Sequence, residues 1–401
     1  MLTCQRGLFS LPEDEHYLNC AYMGPLLKSV EAAGIAGLRR KAVPRHIAAA
    51  DFFSGPNELR ELFGELVNAP PERVALVPSV SYGVAIAAQN LPLGRGSNVV
   101  IPGEEFPSNV YAWMERSARE GAELRFVERP QDAQSEGGAW NRRILEAIDG
   151  NTAAVSLTAV HWTDGTRFDL EAIGRRAREV GAMFVVDGTQ SIGALPFDWE
   201  VVRPDLLVCA GYKWLLGPYQ IGFAVMGDRL AEGRPLEMTW IGRENSEDFA
   251  ALIDYRTGFQ PGARRFDAGQ HANFINVPMQ IEALRQILEW GVGNIQQYCA
   301  MLGRSLADAL GEGTGESTGE SAGDGAGDGP GFTLNPAEER GAHLFGLRLP
   351  DPAKIPAVLE QLAARKVFVS QRGASLRVSP HLYNTPGDMA ALAEALRAAV
   401  T

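Results

Sequence analysis

Two hydrophobic periods alternate along the chain. PNELRELFGELVNA (Pro56 to Ala69) carries Leu59, Leu62, Phe63, Leu66 and Val67 on one helical stripe, and RVALVP (Arg73 to Pro78) then reads as a short buried strand. SYGVAIAAQNL reads as a helix, SNVVIPG (Ser97 to Gly103) as a strand, NVYAWMERSAREGA as a helix and ELRFVE (Glu123 to Glu128) as a strand. The alternation continues through TAAVSLTAV, DLEAIGRRAREVGA and MFVVDG. Short, mostly apolar strands separated by helices predict a parallel sheet covered on both faces. The expected class is α/β.

After about Gly262 the pattern turns helix-rich, in VPMQIEALRQILEWG and NIQQYCAMLGRSLADALG. It ends in a small α+β set, with HLFGLRLP, KVFVSQRG and SLRVSP as strands and PGDMAALAEALRAAV as a closing helix. The expected organisation is an N-terminal segment over residues 1–25, a large α/β domain over 26–262 and a smaller C-terminal α+β domain over 263–401. The stretch GEGTGESTGESAGDGAGDGPG (311–331) interrupts the last of these, with an acid at every fourth position from Glu312 to Asp328. Such a composition reads as a flexible solvated loop without a chemical role.

At 401 residues with 45% hydrophobic content, the chain can bury a core large enough for two domains. Its formal net charge of −12, with no basic stripe, argues against a nucleic-acid-binding surface. MLTCQRGLFSLPEDEHY lacks the apolar run and cleavage site of a leader, and no later run approaches membrane-spanning length. The expected location is therefore the cytoplasm, with no membrane partner. Cys4, Cys20, Cys209 and Cys299 form no CxxC pair and the histidines lack ligand spacing, so neither a disulfide framework nor a metal site is expected.

In an open parallel sheet, ligands bind beyond the carboxyl ends of the strands. Three such ends carry polar residues. In MFVVDGTQSIG, Asp187 follows four apolar residues, where an ionised carboxylate needs a cation or several donors. Backbone N–H bonds in the following turn are the plainer explanation, and Gln190 lies three residues on. In DLLVCAGYKWLLGP, Lys213 follows the apolar stretch Leu206 to Cys209 and precedes Trp214, Leu215 and Leu216. Desolvation there lowers an amine's pKa and favours the nucleophilic form that attacks aldehydes, although a salt-bridged structural lysine fits equally. In RVALVPSVSYGVAIAA, Ser79 and Ser81 sit at a helix start, which is either a phosphate cradle or an ordinary N-cap. Together the three sites describe one ligand with an aldehyde, a protonated ring nitrogen and a phosphate, which is pyridoxal 5'-phosphate.

With VVDGTQSIGALPFD and GYKWLLGP, the sequence resembles the class V aminotransferase family of fold-type I pyridoxal-phosphate enzymes, from about Tyr17 to Leu392. That family includes cysteine desulfurases, kynureninases and isopenicillin-N-epimerase-like proteins. The resemblance implies that Lys213 is the Schiff-base lysine and proton shuttle, that Asp187 protects the pyridine nitrogen's proton, and that Gln190 lies near the ring hydroxyl. It further implies a stacking ring at Phe106, phosphate contacts at Val80, Ser81 and Tyr212, and a substrate-carboxylate arginine at Arg377.

Departures from the family pattern narrow the chemistry. VSQRGASLRVS contains no cysteine where desulfurases carry their nucleophile, so persulfide formation is not expected. Trp162 stands where many relatives have a small or amide side chain, with His161 beside it as a packing or acid–base residue. Gln270 replaces a threonine that often reaches the other subunit's phosphate, and the resemblance implies a homodimer with sites at the interface. The expected activity is that of an enzyme acting at Cα of an amino acid, with transamination first, β-elimination without a persulfide cysteine second, and epimerisation third. A non-catalytic binding protein of the same fold is the alternative of another class.

Overall fold

The computed structural model describes residues 2–130, 136–311, 332–349 and 351–400. The expected flexible loop therefore lies, apart from Gly311, outside the described residues. In chain order the strands are β1 (His16–Tyr17), β2 (Val74–Val77), β3 (Asn98–Pro102), β4 (Glu123–Val127), β5 (Thr152–Thr158), β6 (Met183–Asp187), β7 (Leu206–Ala210) and β8 (Gly222–Met226). The C-terminal part adds β9 (Thr333–Leu334), β10 (Phe345–Arg348), β11 (Val367–Phe368), β12 (Ser370–Arg372) and β13 (Ser375–Val378). The helices are α1 (Lys28–Lys41), α2 (Asp51–Val67), α3 (Val80–Asn90), α4 (Tyr111–Glu120), α5 (Glu136–Ala147), α6 (Leu170–Val180), α7 (Trp199–Val202), α8 (Asn276–Trp290), α9 (Val292–Leu310), α10 (Ile355–Ala364) and α11 (Pro386–Val400).

Seven strands form the central sheet in the order β2-β8-β7-β6-β5-β3-β4. The pairs from β4 to β7 are parallel, whereas β8 runs antiparallel to both β7 and β2. Strands β6, β7 and β8 are buried at every position, which requires cover on both faces and explains their unbroken apolar runs. Two buried clusters lie on the two sides: Phe63, Phe184, Phe223 and Leu207 belong to one, and Trp113, Val185, Val208 and Ala224 to the other. Alternate residues of one strand feed opposite clusters, as the pleat dictates.

The smaller antiparallel sheet has the order β12-β13-β10-β9, with α9 packed on α11 beside it. KVFVSQRG, expected to be one strand, is broken at Val369 into β11 and β12, which pair with different neighbours. Strand β1 runs parallel to β11, so the chain between residues 16 and 25 travels from the C-terminal sheet towards the ends of the central strands. Helix α2 begins at Asp51, ahead of the proline-led start expected at Pro56, and carries Pro56 inside it. A proline there removes one backbone donor, which the buried faces of Leu59, Phe63 and Val67 outweigh.

A buried ion pair ties α2 to the segment before α8. Arg60 Nη2 lies 2.5 Å from Asp267 Oδ2, while Asp267 Oδ1 accepts from the Leu76 N–H at 2.8 Å. Both side chains are buried, so removing one partner leaves an uncompensated charge in the core, at a cost of about 3–5 kcal/mol. Asp267→Ala is expected to lower unfolding stability by that amount in denaturant titrations. Arg60→Met combined with Asp267→Leu should lose clearly less, because no lone charge remains.

Candidate active site

The carboxyl ends of β2, β6 and β7 converge on a cavity of about 230 Å³. Lys213, Asp187, Gln190, Phe106, Val80, Ser81 and Tyr212 all line it, with Ser79, Thr158, Trp162 and Thr189. Seven of the eight residues singled out as site candidates are thus brought together, and the eighth, Arg377, adjoins them through Trp162.

Lys213 is only 6% exposed, in a turn whose Trp214, Leu215 and Leu216 are fully buried. The turn closes with Leu216 N–H donating to the Lys213 carbonyl at 3.1 Å, and it places Leu216 in the left-handed region at φ 52°. That conformation is unfavourable for a leucine and persists only where the surroundings hold it. Trp214 does so by donating Nε1–H to Gln190 Oε1 at 2.9 Å, and two glycines allow the close approach. A Cβ at Gly24 would meet the Lys213 carbonyl oxygen at 2.2 Å, and one at Gly217 would meet Gln280 Oε1 at 1.8 Å. Neither contact leaves room for a side chain.

Asp187 ends β6 with 2% exposure and accepts the Thr189 N–H at 2.9 Å. Burial raises its carboxyl pKa, opposed by the Thr189 hydrogen bonds and the Lys213 charge. Among the described residues it forms no ion pair. Lys213 is shifted the other way, down to about 8, first by burial and then by the Arg377 charge, with Asp187 opposing. Its Nζ lies 5.4 Å from the centre of the Phe106 ring and 5.5 Å from that of Tyr212.

At the opposite end, Ser79 caps α3 by accepting the Tyr82 N–H at 3.2 Å, and its hydroxyl lies 3.0 Å from that of Ser81. The cap satisfies one of the helix's first amides, and Val80 and Ser81, which begin the helix, line the cavity. The N-cap reading holds here, and capping leaves the two hydroxyls beside the cavity. Gln190 is more committed than the motif suggests, with Nε2 donating to the Ala21 carbonyl at 3.2 Å while Oε1 accepts from Trp214.

Arg377 is 1% exposed and donates from Nη1 to the Trp162 carbonyl at 3.0 Å, whereas its Nε and Nη2 have no partner among the described residues. Burial pulls its pKa down to about 9. A buried guanidinium with two unused donors is shaped for a carboxylate. His161 does not line the cavity: it is fully buried, with Nδ1 2.8 Å from Thr163 Oγ1 and its ring 5.0 Å from Trp140. Gln270 is exposed on another face, with φ 63°.

One site neighbour escaped the sequence reading. Glu105 is buried beside Phe106, accepting the Phe106 N–H at 2.6 Å and the Thr158 N–H at 2.8 Å. Burial, and then the Asp187 charge, push it up to about 8. The rule that drew attention to Asp187 would have found it, because GEEF follows the strand β3.

A mostly parallel sheet carrying a buried amine and a buried carboxylate at adjacent strand ends is the architecture of the fold-type I pyridoxal-phosphate enzymes. The aminotransferase class-V pattern matches residues 40–322, and the chain belongs to that family, whose cofactor is pyridoxal 5'-phosphate. It is 28% identical over 356 residues to a protein named as a cysteine desulfurase from Methanothermobacter thermautotrophicus, covering 84% of this chain and 82% of the relative. It is 25% identical to an isopenicillin N epimerase from Streptomyces clavuligerus, over 85% of this chain and 83% of that one. The fold matches the cystine C–S lyase C-DES, solved with cysteine persulfide, at a TM-score of 0.82, with 20% identity over 96% of this chain and 97% of the lyase. Among the described residues no helix is long and apolar enough to cross a membrane.

The pKa of Lys213 gives a direct test in protein free of cofactor. With a value of about 8, its neutral fraction rises about tenfold from pH 7 to pH 9 and then levels off, whereas an ordinary lysine keeps rising beyond pH 10. Labelling by a small aldehyde, trapped with borohydride and read by mass spectrometry, should follow that curve at Lys213. Arg377→Gln should move it to higher pH, because removing a nearby positive charge raises the lysine's pKa.

Proposed function

We propose that this chain is an enzyme that binds pyridoxal 5'-phosphate through Lys213, acts at Cα of an amino acid, and works first as an aminotransferase. The observation that carries the reading is the cavity and its border: a desolvated amine, a buried carboxylate with no ion pair among the described residues, a helix start with paired hydroxyls and, adjoining through Trp162, a guanidinium with two nitrogens unpaired among the described residues. These groups fit the cofactor. A buried carboxyl whose pKa burial has raised gains most from a cationic ring nitrogen, the α3 amides and hydroxyls suit a phosphate, and Phe106 offers a flat face.

Bound in this cavity, the cofactor would be held with Asp187 supporting positive charge on its ring nitrogen, Gln190 on the side of its hydroxyl, and Ser81, Val80 and Tyr212 at its phosphate. When bound, the cofactor supplies an electron sink for a bond broken at Cα. Arg377 orients the substrate through its α-carboxylate, with the Trp162 carbonyl fixing the guanidinium plane. Lys213, an amine whose pKa is lowered to about 8, would accept or return a proton at Cα. Trp162 and Phe106, edge to face at 5.4 Å, exclude water from that side. Gln270 is exposed on the protomer, which leaves it available to a second copy in the proposed homodimer.

A second reading, C–S bond cleavage by β-elimination, is favoured by the cystine C–S lyase and by the desulfurase named among the relatives. A persulfide-forming route is not supported. Cys20, Cys209 and Cys299 are buried, with thiol pKa values raised by burial, and the hairpin from Ser370 to Val378 has no cysteine. The epimerase relative supports inversion at Cα as the third possibility.

Purified protein should be yellow, and Lys213→Ala should lose the visible band that borohydride bleaches in the wild type. Asp187→Asn should keep binding but lose about 10²-fold or more in kcat, the order found for deleting a stabilising charge. Keto-acid formation that requires an amino acceptor supports transamination. Sulfide or thiol release without an acceptor supports elimination instead, and a colourless protein that binds no cofactor sinks the reading.

A further inference from the structure

The hairpin that carries Arg377 carries a second arginine on the same face. Ser370 pairs with Arg377, and Arg372 pairs with Ser375, so Arg372 lies two residues along the strand from the partner of Arg377. Residues two apart on a strand share a face, which makes Arg372 and Arg377 diagonal neighbours across the hairpin, about 7–8 Å apart at this kind of position.

Contacts lead from the amine to that second guanidinium. Lys213 Nζ lies 5.4 Å from the Phe106 ring, Phe106 meets Trp162 edge to face at 5.4 Å, and Arg372 Cζ lies 5.7 Å from the Trp162 ring. Trp162 is shared, since its carbonyl accepts from Arg377 while its ring faces Arg372. Arg372 is half-buried, and no carboxylate among the described residues forms an ion pair with it. Its one side-chain hydrogen bond among the described residues goes from Nη1 to the adjacent Gln371 carbonyl at 2.6 Å.

The charge balance shows what is missing. Lys213 feels the positive charges of Arg377 and Arg372 against the single carboxylate of Asp187, and Arg372 also repels Arg377. One α-carboxylate on Arg377 leaves the outer guanidinium uncompensated. An amino acid with a second acid group supplies both charges, and the diagonal spacing separates the two grips.

We propose that Arg372 is a specificity-determining residue that binds an acidic group on the substrate side chain, so the substrate is a dicarboxylic amino acid or a close acidic analogue. The proposal rests on the cofactor and Arg377 assignments above. It differs from them in naming the side-chain class.

Calorimetry on the holoenzyme with unreactive probes tests it, using glutarate as the dicarboxylate and butyrate as the monocarboxylate. Wild type should bind glutarate about tenfold or more tightly than butyrate, and Arg372→Gln should lose about tenfold or more for glutarate while butyrate changes less than about twofold, as expected for losing one charge-assisted contact. Arg372→Lys should recover part of the glutarate affinity, which a purely structural role would not restore. Equal losses for both probes would show that both arginines grip one carboxylate. Indifference of both probes, or no preference for glutarate in wild type, would show a surface cation without a role, and each of these results overturns the proposal. The visible cofactor band is read in the same samples. Its absence counts against the cofactor reading, while the anion titrations still decide for or against Arg372.

Discussion

The site depends on keeping an amine where water would otherwise be. Lys213 is 6% exposed with a guanidinium near it and a carboxylate opposing both, and burial magnifies each charge relative to water. The surrounding geometry serves that end. Leu216 adopts a left-handed backbone, Trp214 locks the turn through Gln190, and Gly24 lets the N-terminal segment lie directly on the Lys213 carbonyl. An exposed lysine needs none of these arrangements.

Desolvation acts with opposite sign on the groups around it. It lowers Lys213 and Arg377, whose charged forms are cations, and raises Asp187 and Glu105, whose charged forms are anions. The result is a site whose groups are moved towards neutrality and then recover charge when an ion of opposite sign arrives. This makes the unused donors of Arg377 informative. Two buried guanidinium nitrogens without acceptors among the described residues cost free energy, and that cost is offset when an anion binds.

The parallel core was legible because most of its strands are short apolar runs separated by helices, and the polar residues at or just beyond the ends of β6 and β7 pointed to Asp187 and Lys213. Strand β8 was not read, because GFAVM follows the lysine loop without an intervening helix and nothing local signals its antiparallel return. Helix α1 was missed for a different reason. Its sequence, KSVEAAGIAGLRRK, buries only Val30, Gly34 and Gly37, so the packing face is marked by small residues rather than by an apolar stripe. The glycines allow close approach: a Cβ on Gly37 would meet the Phe274 carbonyl oxygen at 2.5 Å. A contact that depends on a missing side chain has no hydrophobic signature in sequence. The commitment of Gln190 to Trp214 and Ala21 was equally hidden, since it joins three distant segments.

The N-terminal segment links the two halves of the site. Strand β1 pairs with β11, Cys20 N–H donates to the Ser379 carbonyl, and Ala21 N–H donates to Ser379 Oγ beside β13, the strand of Arg377. A few residues later, Gly24 N–H donates to the Tyr212 carbonyl immediately before Lys213. One short stretch therefore holds both the strand bearing Arg377 and the turn bearing Lys213 through backbone hydrogen bonds, the least deformable contacts available. The distance between amine and guanidinium is then set by main chain on both sides, and Trp162 between them is anchored as well, its Nε1–H donating to the Glu104 carbonyl at 2.7 Å. For the proposed function, this arrangement would fix in place the two groups assigned to the amine and the α-carboxylate shared by every amino acid.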